Sequence, residues 1–375
     1  MILRNRLIIF LALLWKLAFS LVASSLKNDD NSFAPGEIWL DTDGIAINAH
    51  GGGILIHGDT YYWYGEIKKG NTYMPECNAE WGGSRVDVTG IGCYSSKDLI
   101  HWKNEGNVLP AETIIHGHDL HTSKVLERPK VIFNQKTGKF VMWMHLDSMD
   151  YKAARSAVAV SDSPTGPFQY LHSVRPNTGV WPENLPENER HFDNREEPLK
   201  RDFYVGQMAR DMTLFVEEDG SAYHIYSSEE NKTLHISKLS DDYLWPVGEY
   251  TRAFVGRSME APAIFKRNGK YYLIASGCTG WDPNEARSAV ADSLTGPWKE
   301  LGNPCVGEGK ELTFRSQSTF VLKVNGKKEA YIFMADRWNK NDLEDSRYVW
   351  LPIEFDSADI PSIKWKDRWN LDELE

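Results

Sequence analysis

Five apolar runs in this sequence open with polar side chains that ordinary sheet packing does not require. Asn48 and His50 precede the run at 51–56, and Glu127 and Arg128 sit within 124–133. Asp211 lies at the start of 210–216, Glu260 at the start of 259–265, and Gln317 within 315–321. Each alone has an ordinary explanation: a local ion pair for Glu127 and Arg128, a capped turn for Asp211, a solvated strand end for Glu260. Five in succession point to one shared site. Glu127 and Glu260 form a candidate carboxylate pair. Such a pair suits glycosidic bond cleavage: one carboxyl, protonated, donates to the leaving oxygen while water is steered to the anomeric carbon from across the sugar. A neighbouring carboxylate raises the donor's pKa, because two like charges do not both ionise cheaply in a partly dry site.

The elements that must bring these residues together show themselves as a repeat. The string RSAVAVSDSPTGPF at 155–168 returns, two residues shorter, as RSAVADSLTGPW at 287–298. Small and β-branched residues suit a pleated strand, and Gly-Pro then imposes a turn. Looser copies stand at 92–102 (GCYSSKDLIHW) and 234–245 (LHISKLSDDYLW). Five units follow, with Asn-Gly hairpin turns at 268–269 and 325–326. This predicts an all-β fold, a five-bladed β-propeller, over residues 35–356, with 357–375 as a C-terminal tail packed on it or extending from it. In a propeller the innermost strand of each blade faces the axis, so the polar starts converge at one mouth. The glycines at 51–53 imply close backbone approach to a neighbouring strand or a ligand. The loop at 71–90 reads as surface. The longer one, 176–206, reads as one wall of a site.

Of the 375 residues, 14 are Trp, 16 Tyr and 15 Phe, enough to fill the sheet cores and leave a few flat rings for stacking on sugars. The formal net charge is −11 with no basic cluster, which argues against nucleic acid as a partner. Arg4, Arg6, an apolar run at 7–15 and small residues at 22–25 give residues 1–25 the form of a secretory signal peptide. Lys16 makes that segment a poor membrane span, so the expectation is an exported protein, periplasmic or secreted, with no membrane insertion after removal of the signal. The four cysteines fit no zinc motif; Cys77 with Cys93, or Cys278 with Cys305, could pair, and free buried thiols are the alternative.

At these strands the sequence resembles glycoside hydrolase family 43, and within it the exo-β-1,3-galactanase group. The resemblance is carried by AHGGGIL at 49–55, YWYGE at 62–66, ERPKVIFN at 127–134, MWMH at 142–145, RD at 210–211 and MEAP at 259–262. It continues through YLIAS at 272–276, TGW at 279–281, SQ at 316–317, DRW at 336–338 and SRYVW at 346–350. The resemblance implies an inverting hydrolase that removes galactose from the non-reducing end of β-1,3-galactan, such as the backbones of arabinogalactan proteins. It makes Glu260 the general acid, and Glu127 the carboxylate that tunes that acid and holds the sugar. Most of the family places a catalytic Asp on the first blade, where this sequence has Asn48 and His50. In the galactanase group a fifth-blade Gln positions the water, and Gln317 matches it. Glu66, Tyr151, Asp211, Asn231, Thr279 and Trp281 match positions that bind the terminal galactose. No cofactor or catalytic metal is implied. Some relatives hold a calcium ion in the central channel, where His50 would sit; a satisfied core histidine is the plainer reading. Arg337 and Arg347 read as ties within the last blade. The rival readings are an α-L-arabinofuranosidase or β-xylosidase on the same scaffold, and a carbohydrate-binding propeller without turnover.

Overall fold

The computed structural model describes residues 31–74, 84–194 and 196–374. The segment read as a signal peptide, 1–25, lies outside the described residues. Alternation of small apolar and polar residues produces five sheets in chain order, the five blades of a β-propeller. The first holds β1 (His50–His57), β2 (Thr60–Lys68), β3 (Val88–Ser96) and β4 (Lys103–Pro110). The second holds β5 (Val125–Asn134), β6 (Lys139–Asp147), β7 (Arg155–Ser161) and β8 (Gln169–Val174). Blade three is β9 (Met212–Val216), β10 (Ala222–Ser228), β11 (Thr233–Leu239) and β12 (Pro246–Ala253). Blade four is β13 (Glu260–Arg267), β14 (Lys270–Ser276), β15 (Arg287–Ala291) and β16 (Lys299–Gly302). The sequence echo is the third strand of blades one to four with its turn to the fourth; Gly166–Pro167 and Gly296–Pro297 are both cis.

The fifth blade is built differently. Its strands are β17 (Cys305–Val306), β18 (Gln317–Lys323), β19 (Tyr331–Arg337), β20 (Arg347–Phe355) and β21 (Pro361–Lys364), in the order β17-β21-β20-β19-β18. The blade therefore runs past residue 356. Its fourth strand begins on Pro361, which donates no ladder hydrogen bond, and carries β17 as a parallel partner on its outer edge. Closure joins the two ends of the described chain: Phe33 and Trp369 pair through their backbones and stack at 4.1 Å. Phe33 is thus 2% exposed, in an aromatic cluster with Trp63, Trp102 and Trp350 between blades one and five.

The innermost strands β1, β5, β9, β13 and β18 touch in a closed ring. Four of them carry a register shift at their starts: between His50 and Gly53, Glu127 and Lys130, Glu260 and Ala263, and Ser318 and Phe320. In three, the residue after the polar one is left-handed (Gly51 φ 62°, Arg128 φ 55°, Ala261 φ 53°). A bulge of this kind bends the strand and re-aims a side chain. That is how His50, Glu127 and Glu260 leave the sheet-packing direction at the same level of the ring. The Gly51–53 run is explained by neighbouring chain: a Cβ on Gly52 would lie 1.7 Å from the Tyr64 carbonyl oxygen.

Candidate active site

The ring's starts open into a cavity of about 420 Å³, within the range of small-molecule sites. Glu127, Glu260 and Gln317, from three different blades, all line it. So do Glu66, Tyr151, Asp211, Asn231 and Trp281. Thr279 does not. Its hydroxyl donates to the Asp282 carbonyl oxygen at 2.5 Å and accepts from Asn284 Nδ2 at 2.7 Å, so it shapes the loop that presents Trp281.

The two carboxylates of the pair sit in opposite environments. Glu127 accepts from the Tyr151 hydroxyl at 2.8 Å, with His145 Nδ1 at 3.4 Å and Lys68 Nζ at 3.8 Å. Burial alone would raise its pKa, but His145, Lys68 and Tyr151 outweigh burial and hold it down at about 2. His145 is lifted to about 9: burial opposes its charge, and the Asp147 carboxylate at 3.0 Å together with Glu127 overcomes that. Glu260 lacks such a cation cage. Burial first, then the neighbouring Asp211 carboxylate, push it up to about 7, against Arg128, Cys278 and Asn231. Asn231 Nδ2 donates to Glu260 Oε1 at 2.6 Å. Asp211 is itself held by Arg128 at 3.0 Å and accepts from the Ala261 N–H at 3.1 Å. Near neutral pH the Glu127–Glu260 pair thus consists of one permanent carboxylate and one carboxyl poised to give up a proton.

Gln317 is oriented by donor-only neighbours. Its Oε1 accepts from Arg128 at 2.5 Å and from the Trp338 indole N–H at 3.0 Å, while Nε2 donates to Ser276 Oγ at 2.9 Å. Neither Arg nor Trp can accept, so the amide cannot be turned round without two donor–donor clashes, and these contacts favour the ordinary amide over its imidic tautomer. Glu66 accepts from the Arg128 N–H at 3.1 Å and pairs with Lys68 at 2.5 Å; burial raises its pKa in spite of that cation. Trp281 meets Trp338 edge-on at 4.9 Å and donates to the Ser84 carbonyl at 2.7 Å.

The sequence reading named Glu66 from a second strand but left out two ions that the second strands also contribute, Lys68 and His145. Lys68 follows Glu66 on β2 and His145 precedes Asp147 on β6, each pair two residues apart and on one face. An ionisable residue repeated at that interval in a buried strand was the available signal. Trp338 and Arg210 were quoted only within motifs. Arg210 ties the Tyr151 carbonyl (2.7 Å) to Asn231 Oδ1 (3.3 Å). Three other expectations change. The described residues of the 176–206 loop contribute no wall of the cavity and pack on blade three instead, where Glu183 and Asn184 bond the backbone of β12. Asn48 stays outside the cavity, both ends of its amide bonded to the Lys68 backbone at 2.7 and 2.8 Å. Cys278 and Cys305 are free thiols, as is Cys93; Cys77 lies outside the described residues. Arg337 and Arg347 bond chain next to or within the last blade, at Phe314 and Asp345.

The residues at the axis do not fit a calcium ion. Arg128 crosses from blade two to Asp211 on blade three and to the Ser318 carbonyl on blade five. Lys130 Nζ donates to the Gly51 carbonyl at 2.9 Å, where burial and the adjacent Arg128 press it down to about 7. Two cations of the chain thus already engage oxygens that a metal would need. His50 is 1% exposed, stacked on Tyr348 at 5.0 Å, with Nδ1 3.8 Å from Asp336. Glu127, His145 and Asp211 offer ligand atoms within 4.8 Å of one another, but each is engaged as described above.

An ionised carboxylate and a carboxyl able to give up a proton, both lining one pocket at the axis, are the groups that hydrolysis of a glycosidic bond uses. The comparisons agree. A family profile for Glycosyl hydrolases family 43 matches residues 193–351. The structure is similar to that of a GH43 β-1,3-galactosidase with galactodeoxynojirimycin, at 50% identity and TM-score 0.84, over 90% of this chain and 100% of that one. It is also similar to an exo-β-1,3-galactanase of Phanerochaete chrysosporium with β-1,3-galactotriose, at 34% identity and TM-score 0.74, over 91% of this chain and 68% of that one. Among curated proteins, a β-D-galactofuranosidase of Aspergillus niger is 29% identical over 119 residues; the chain spans about a third of that relative's length. The chain belongs to glycoside hydrolase family 43.

Proposed function

We infer that the protein is an exo-acting β-1,3-galactosidase, which releases galactose from the non-reducing end of β-1,3-galactan with inversion of configuration. The observation that carries the substrate is the full-length similarity, at 50% identity, to a β-1,3-galactosidase. In this reading Glu260, held protonated up to about pH 7, gives its proton to the glycosidic oxygen as the bond breaks. Glu127, held ionised, and Glu66 accept hydrogen bonds from the sugar hydroxyls, with Asp211 beside them and Trp281 offering an apolar ring. An amide is a far weaker base than a carboxylate, so the part of Gln317 is to orient the attacking water. The proposal extends to galactan backbones of arabinogalactan proteins as the natural polymer, to no requirement for a metal, and to export of the mature chain. Among the described residues no helix is long and apolar enough to cross a membrane.

The test is hydrolysis of β-1,3-galactobiose followed by NMR of the first-formed anomer. Galactose appearing as the α-anomer supports the reading; the β-anomer, or no turnover, sinks it. A panel of nitrophenyl α-L-arabinofuranoside, β-xyloside and β-galactoside separates the proposal from its rivals on the same fold.

A further inference from the structure

The hairpin between β10 and β11 is wound against its preference. Glu229, Glu230 and Asn231 have φ of 53°, 59° and 60°, three consecutive left-handed residues with no glycine among them. A left-handed backbone is unfavourable for a residue with a Cβ, more so for the two glutamates than for Asn231, and the conformation persists only where surrounding structure enforces it. The enforcement is visible. Glu229, 5% exposed, receives a two-pronged bond from Arg252 of β12 (2.6 Å each), with His235 Nε2 at 2.8 Å and the Thr233 hydroxyl at 3.1 Å. Glu230 is held at 2.8 Å by Arg201, from the long loop that was expected to wall the pocket. Asn184 of the same loop brackets the backbone of Arg252, with bonds of 2.8 and 3.0 Å.

The product of this bracing is one contact in the cavity, the donation from Asn231 Nδ2 to Glu260 Oε1. The unprotonated oxygen of a carboxyl is a better acceptor for an amide N–H than its hydroxyl oxygen, so this donation favours Oε1 as the acceptor and places the acid's proton on Oε2. We propose that Glu229 and Arg252, neither of which lines the cavity, are positioning residues for the reaction: they lock the 229–231 turn so that Asn231 fixes which oxygen of Glu260 carries the proton. The long 176–206 loop serves the same end as an outer brace. This inference rests on Glu260 being the general acid.

The experiment compares two substrates that differ in their need for a proton. β-1,3-Galactobiose has a poor leaving group and requires general acid help, whereas a dinitrophenyl β-galactoside does not. Glu229→Gln is expected to lower kcat on galactobiose about 10- to 100-fold while leaving KM and turnover of the aryl galactoside near wild type. Asn231→Ala, which also removes a side chain from the cavity lining, should lower kcat on galactobiose at least as far, and the double variant should be no worse than Asn231→Ala on that substrate, because both act through one contact. Should Glu229→Gln fail to fold, Arg252→Lys, which keeps the charge but loses the two-pronged geometry, carries the same comparison. Equal losses on both substrates, or additive losses in the double variant, overturn the proposal and leave the network a purely structural tie. Glu260→Gln is run alongside. If it fails equally on both substrates, the general acid assignment itself falls, whatever Glu229 does.

Discussion

Followed from start to end, each innermost strand runs from a polar mouth of the ring to an apolar one. At the far mouth the later residues of β1, β5, β9, β13 and β18 enclose about 730 Å³, a larger space than the 420 Å³ at the near mouth. Among the described residues no Asp or Glu lines it; Ile54, Phe133, Leu214, Phe265 and Phe320 do, with Lys130, Lys266 and Lys323. The ring geometry is shared, so the difference comes from local backbone. The near mouth has the bulges and left-handed residues that turn side chains towards the axis, and it has the second-strand ions that set their protonation. Reactive capacity here follows the convergence of mismatched carboxyls rather than volume.

The contrast breaks first at Glu260. Glu260→Gln should lower kcat/KM on β-1,3-galactobiose by roughly a thousandfold, the middle of the range for a lost general acid. Loss of less than tenfold would mean that the near mouth is not the reactive one. The far mouth is tested by Phe133→Ala. This half-buried ring packs on Phe140 at 4.9 Å and His57 at 4.7 Å. Its removal should cost about 2–3 kcal/mol in chemical denaturation and leave kcat/KM unchanged. An equal fall in activity would show that the two mouths are coupled.

The same contrast explains what the sequence made legible. The five-blade plan could be read because the third strands repeat small alternating residues before a fixed turn. The fifth blade hid its outer edge, since β17 and β21 pair in parallel across some 55 residues of chain and carry no copy of the echo. Glu127, Glu260 and Gln317 stood out as polar groups on otherwise apolar strands. Lys68 and His145 did not, because only the assembled blades show that they face Glu66 and Glu127. Thr279 was placed by motif alone, and the bond to Asp282 turns it from the cavity. Asn231, matched to a sugar-binding position, was legible as a pocket residue, but not as a partner of Glu260, because a left-handed turn of non-glycine residues leaves no trace in composition.

The near mouth is also expected to be strained in a pH-dependent way that the far mouth is not. The folded pKa of Glu260, about 7, lies above its ordinary value of 4.5. The stability associated with the neutral acid is therefore intact below about pH 4.5 and is lost as pH rises through about 7. Glu260→Gln should be more stable than wild type at pH 8, by on the order of 1–3 kcal/mol, and equal to it at pH 4. A variant less stable than wild type at pH 8 would mean that the carboxylate is well accommodated, and the account of its raised pKa would fail.

The smallest expected effect resolves why that pKa is high. Burial is the larger cause and the Asp211 carboxylate the second. Asp211→Asn removes the like charge, and it also frees Arg128, now paired with Asp211 at 3.0 Å, to act more strongly on Glu260. Both changes favour the ionised acid, so they carry the same sign. The alkaline limb of kcat/KM against pH, set by loss of the Glu260 proton, should move down by about one unit. No movement would leave burial as the whole cause. Movement to higher pH would show that Asp211 stabilises rather than opposes the Glu260 charge, and the two carboxyls would then have to be read as a proton-sharing pair.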